Sequence, residues 1–182
     1  MIKMKSKEPT WNEVKASIKN LDRSELLDLV KDLYQLSKGN KSFLNARYSI
    51  GDQPLQFYKK IIEDALYPDV MDKKSDFDFE GADRAISDYS KATGDPEGIA
   101  VLMIHYVEIG NKFTLDYGDI NEDFYDALVD MYGKAIKQVL KIPKKKQGIF
   151  RNRLKKIMES SDGIGWGYHD GLEEYYFETF QE

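Results

Sequence analysis

The chain has no cysteine among its 182 residues. That excludes disulfides, thiolate metal sites and a cysteine nucleophile. Only two histidines are present, so a transition-metal site is not expected and no cofactor is assigned. No run approaches the roughly 18 apolar residues that a membrane span needs, and no membrane partner is expected. The first nine residues, Met1–Pro9, are basic but carry no apolar stretch. We therefore expect a flexible segment there rather than a secretory signal, and a cytoplasmic location.

What is present describes a folded, charge-rich protein: 41% hydrophobic and 32% charged residues, with a net charge of −5. The balance argues against general nucleic-acid binding, but the distribution is uneven. From Met131 to Met158 there are ten basic residues and no acid, whereas Glu159–Glu182 holds seven acids and no Lys or Arg. Within the basic block, Lys144, Lys145, Lys146, Arg151, Arg153 and Lys155 are the candidate phosphate contacts, joined by Lys156. The competing expectation is a solvated face neutralised by the acidic C-terminal segment.

Helix signals dominate. Thr10-x-x-Glu13 and Asp22-x-x-Glu25 have the form of capping boxes. Leu26, Leu29, Val30, Leu33 and Leu36 recur at helical spacing, which predicts one core-facing stripe stopped by Gly39. A short helix is expected around Ser42–Tyr48 and a longer one over Pro54–Leu66. Phe77 and Phe79 should anchor the irregular acidic connection that follows. Asp95-Pro96-Glu97 is a start signal with a cap, a proline at the first helical position and an acid in the first turn. The segment after it, Ile99–Ile109, is apolar nearly all round, as a central buried helix would be. Further helices are predicted from about Gly118 to Leu140, over Gln147–Glu159 and over Asp170–Phe180. The fold class is therefore all-α: eight or nine helices in one domain over residues 10–182. They would pack as irregular hairpins, solenoid-like or as a compact bundle.

One stretch is unlike the rest. Gly163–Gly171 (Gly-Ile-Gly-Trp-Gly-Tyr-His-Asp-Gly) holds four of the 13 glycines, one of the two tryptophans and one of the two histidines. If extended, it would put Gly163, Gly165 and Gly167 on one side and Ile164, Trp166 and Tyr168 on the other. Gly163 could cap the preceding helix, and Asp170-x-x-Glu173 could box the next one. The candidate binding surface is the middle: Gly165, Trp166, Gly167, Tyr168 and His169. It lacks the pattern of a dinucleotide or phosphate loop.

Other constellations are weaker. His105 in the apolar helix reads as a hydrogen-bonded core residue. Asp116–Asp123 fails the spacing of a calcium-binding loop and is better explained by helix capping by Asp119 or Asn121. No serine sits in a recognisable nucleophile context.

The segments Leu21–Tyr34, Ala85–Tyr89, Gly94–Pro96, Tyr117–Ile120 with Phe124-Tyr125, and above all Gly163–Asp170, resemble a family of small, functionally uncharacterised bacterial proteins. The resemblance implies a shared helical fold and brings no activity, cofactor or catalytic residue. With no catalytic constellation, the expected role is a non-enzymatic protein-interaction or adaptor module with a protein partner, open to homo-oligomerisation. The alternatives are RNA or DNA binding through residues 134–156, and an enzyme site near His169 with Asp170 or Glu173 as its partner.

Overall fold

The computed structural model describes residues 8–51, 54–72 and 76–180. Most of the expected N-terminal flexible segment, residues 1–7, lies outside the described residues. Among the described residues the chain is all-α, with nine helices and no strand. By its contacts it divides into two compact units, residues 1–44 and 45–182.

In the first unit, α1 (Trp11–Ile18) and α2 (Arg23–Leu36) start where the sequence says. The Glu13 carboxylate accepts from the Thr10 N–H at 2.6 Å and the Thr10 hydroxyl at 2.8 Å. Asp22 and Glu25 exchange side chain-to-backbone bonds of 2.9 and 2.8 Å, satisfying donors the helix would orphan. Gly39 does not stop α2. The chain turns at Ser37, whose hydroxyl accepts from the Asn40 N–H at 3.1 Å, so that Gly39 lies inside α3 (Lys38–Arg47). The predicted core stripe of α2 is a second correction: neither α1 nor α2 has a buried residue. A unit this short has too little volume to enclose its own side chains. Trp11, Leu27 and Leu36 are accordingly well exposed.

The second unit is built around α6 (Pro96–Tyr117), which packs against α4 (Pro54–Leu66), α5 (Phe79–Thr93), α7 (Glu122–Val139) and α8 (Lys144–Ser160). Asp95 accepts from the Glu97 and Gly98 N–H groups at 3.0 Å each, confirming the start signal. The helix runs well past the expected Ile109 because Gly110, Phe113 and Thr114 are also buried. A Cβ on Gly110 would collide with Leu128 of α7, so this glycine sets the distance between the two helices. The last helix, α9 (Tyr168–Thr179), packs on α7 and α8.

One end of this bundle is aromatic. Phe77 lies 5.0 Å from Phe113 and 4.8 Å from Phe124 between ring centroids, and Tyr125 lies 5.2 Å from Tyr168. Phe124, Tyr125 and Tyr168 are almost wholly enclosed. Each such ring contributes roughly 1.5–3 kcal/mol of transfer free energy. Together they fix the two turns that frame the candidate site.

Candidate functional site

The first turn leaves α6. Gly118 takes φ +93°, and its N–H donates to Thr114 O at 2.8 Å. Asn121 then caps α7, its Oδ1 accepting from the Phe124 N–H at 2.9 Å. Asp119 is not a cap. Its Oδ1 accepts from the Tyr125 hydroxyl at 2.9 Å and its Oδ2 from the Trp166 indole N–H at 2.8 Å. Burial foremost, reinforced by that carboxylate, raises the Tyr125 pKa and keeps the phenol neutral.

The second turn leaves α8. Buried Ser161 donates its hydroxyl to Met158 O at 2.7 Å, and the Ile164 N–H closes on Ser161 O at 3.1 Å. Gly163 follows with φ +80°, but it is not the cap: Ser161 closes α8, and Gly163 lies two residues beyond it. The glycine stretch is not extended, however. It coils through two successive turns, with Tyr168 N–H on Gly165 O at 3.1 Å and Gly171 N–H on Gly167 O at 2.9 Å. Its apolar residues therefore scatter: Tyr168 is 0% exposed, Trp166 is 53% exposed, and Ile164 is half-buried. The helix-start expectation also changes. Gly167, at φ +68°, is the N-cap of α9, and Asp170 lies in its first turn, so there is no Asp170–Glu173 box.

Of the five candidate surface residues, Gly165, Trp166 and Gly167 face out, Tyr168 is core and His169 is half-buried. His169 Nδ1 sits 3.1 Å from Met158 O and 3.0 Å from Ser161 Oγ, which ties it to the end of α8. The Tyr168 hydroxyl has no hydrogen-bond partner among the described residues, and burial raises its pKa well above the usual phenol range. Trp166 is the exception in backbone terms. It holds φ +60°, a left-handed conformation that costs a non-glycine residue about 1–2 kcal/mol.

Between the two turns lies a cleft of about 380 Å³ whose walls include Thr114, Asp119, Tyr125 and the Gly163–Gly165 backbone. Its chemistry is that of neutral hydroxyls and one carboxylate whose two oxygens already accept hydrogen bonds. Such a set can bind and orient a polar group. Among the described residues no group of three His, Asp or Glu is placed to hold a metal.

The basic block is only partly open. Lys146 meets Glu97 at 2.5 Å, and Arg153 grips Glu108 through two bonds of 2.8 and 2.6 Å. These acids belong to α6, not to the C-terminal segment expected to neutralise the block. Arg151 lies over the Phe180 ring at 4.7 Å. Lys144, Lys145, Lys155 and Lys156 make no ion pair with a described residue. Because Pro143 takes the N-cap position, α8 begins at Lys144 rather than Gln147, and the lysine triplet forms its first turn.

His105 is held between carboxylates. Its Nε2 lies 3.2 Å from Glu63 Oε1, within ion-pair reach but off the hydrogen-bond direction, and its Nδ1 lies 3.8 Å from Glu108 Oε2. Burial pushes the Glu108 carboxyl up, but nearby His105 and the two hydrogen bonds from Arg153 outweigh it and hold the pKa at about 2. Glu63 and Arg153 reach this cluster from α4 and α8, which no local pattern around His105 announces.

No curated protein and no solved structure matches the chain. A family model matches residues 10–181, and the chain therefore belongs to the family of unknown function DUF6155.

Proposed function

We propose that the chain is a non-enzymatic protein-interaction module, an adaptor, that engages a protein partner through the Trp166 face. One observation carries this reading. Trp166 is strained at φ +60°, leaves half its surface in water, and has its indole N–H pinned by Asp119. Folding alone would favour glycine or asparagine at a left-handed turn position. A rigid, exposed tryptophan is instead what a binding hot spot requires, because little side-chain freedom remains to be lost on contact. The reading extends to a bacterial cytoplasm, supported by the absence of cysteine and by the sequence resemblance.

The alternatives draw less support. An enzyme at His169 would need an accessible nucleophile or base, yet Ser161 beside it is wholly buried and both side chains close the end of α8. Nucleic-acid binding through the basic block is weakened because Glu97 and Glu108 already pair with Lys146 and Arg153.

The test is site-specific photo-crosslinking in cells. A benzophenone amino acid in place of Trp166 captures a discrete protein product, and the same group in place of exposed Lys31 does not. Equal yields at both positions would contradict the assignment.

A further inference from the structure

The cleft between the turns after α6 and α8 presents side-chain acceptors and no side-chain donor. Its walls carry three polar side chains, Thr114, Asp119 and Tyr125. The Tyr125 hydroxyl gives its single proton to Asp119 Oδ1 at 2.9 Å. The Thr114 hydroxyl has one proton and two acceptors inside the fold, Gly118 O at 3.0 Å and the Tyr125 oxygen. Both hydroxyl protons are therefore committed within the protein. The carboxylate is not saturated. An ionised Asp offers about four lone-pair sites, and Tyr125 and Trp166 each take one, on different oxygens. A ligand that meets these side chains must bring the donors.

Charge decides what kind of donor. The walls come from two stretches of chain without Lys or Arg: residues 113–133 carry six acids and residues 157–182 carry seven. The lysines that border these stretches serve other places. Lys112 lies over the Tyr67 ring at 4.8 Å and 3.9 Å from Asp116, and Lys156 lines a hollow between α6 and α8. Asp119 itself makes no ion pair with a described residue, because the groups bonded to it are a neutral phenol and a neutral indole. Its negative charge is uncompensated at an exposed position, which favours a cation over a neutral donor and disfavours an anion.

Trp166 sets the kind of cation. Its indole nitrogen is 2.8 Å from the same carboxylate and the residue is half-exposed, so a cation on Asp119 lies beside an aromatic ring. A guanidinium is planar and weakly hydrated, and it can donate to a carboxylate while stacking on an indole. An ammonium is a compact, strongly hydrated point charge and gains less from the ring. Taking the Trp166 face as the docking surface, and resting on that reading, we propose that the partner places an arginine side chain in this cleft. Its guanidinium donates to the free lone pairs of Asp119 and lies against the Trp166 ring.

The experiment titrates the isotopically labelled full chain with three acetyl-capped amino-acid amides at equal ionic strength: arginine, citrulline and glutamate. Citrulline keeps the shape of arginine without its charge. The Trp166 indole N–H, bonded to Asp119, is the reporter, and the indole N–H of Trp11, in the other compact unit, is the control. The arginine amide is expected to shift the Trp166 signal saturably, in the millimolar range, and to leave Trp11 unmoved. Citrulline amide should bind about fivefold more weakly, and Asp119→Asn should weaken arginine by a similar factor, as for an exposed ion pair beside a ring. An amide spectrum of unchanged dispersion shows that Asp119→Asn is folded; if it is not, the citrulline comparison on the wild type decides alone. The proposal is overturned if arginine leaves the Trp166 signal in place or shifts both indoles alike. It is also overturned if citrulline or glutamate binds as well as arginine, or if folded Asp119→Asn binds as well as the wild type. Photo-crosslinking at position 166 that succeeds beside any of these failures keeps the interaction module and removes only the arginine.

Discussion

The Trp166 indole N–H donates to the Asp119 carboxylate at 2.8 Å, joining residues 47 apart in sequence. This bond ties the turn after α8 to the turn after α6, and the same carboxylate accepts from buried Tyr125. Asp119→Ala is therefore expected to cost about 1–2 kcal/mol, mostly through the Tyr125 hydroxyl, because the exposed indole can turn to water. Asp119→Asn keeps an acceptor and should recover most of that loss. Urea unfolding of both variants measures it, and equal destabilisation would show that the bond to Tyr125 matters little.

Gly167 and Gly165 should differ sharply. Gly167 needs φ +68°, whereas Gly165 is not left-handed and has open space where a Cβ would go. Gly167→Ala should destabilise by about 1 kcal/mol and Gly165→Ala by almost nothing. Thermal melts of the two variants decide it, and equal melting temperatures would contradict the assignment of strain.

Tyr168 is 0% exposed and its hydroxyl has no partner among the described residues. Removing that oxygen should cost nothing, so Tyr168→Phe is expected to be neutral or stabilising by up to about 1 kcal/mol. Tyr168→Ala opens a core cavity and should cost about 3–5 kcal/mol. A clear loss of stability in Tyr168→Phe would reveal a hydrogen bond to the hydroxyl in solution.

Glu108 gives a pH signature. Its carboxyl titrates at about 2 in the folded chain instead of the ordinary 4.5. A depressed carboxylate contributes stability that is complete above the ordinary value and is lost as pH falls through the folded one. The stability gap between wild type and Glu108→Gln should thus be widest near neutrality, by about 1–2 kcal/mol, and narrow between pH 4.5 and 2. Denaturant melts across that window measure it, and a gap independent of pH would remove the ion pair from the account.

The sequence was legible where the chemistry is local. Asp95 and Asp22 announce helix starts because a cap and its donors lie within three residues, and Thr10 does so because Glu13 accepts from its N–H three residues on. Local signals fail where two options compete: Ser37, by capping α3, ends α2 before Gly39 can. The leucine stripe of α2 identified an apolar face but not whether anything covers it, since periodicity carries no information about the other side of a contact. The candidate site was half legible. The glycine stretch marked the right turn, but Tyr168 and Trp166, two residues apart, go to opposite environments once the backbone turns left-handed at Trp166 and Gly167. Asp119 read as a cap because its real partners come from elsewhere in the chain.

The central claim is that Trp166 is exposed for binding rather than for folding. Quantitative affinity capture with the wild type and Trp166→Ala, both confirmed folded and equally stable, tests it most directly. The account predicts that the specific partners fall by about tenfold or more in the variant, as for loss of a hot-spot tryptophan. An unchanged partner set at unchanged occupancy would contradict it.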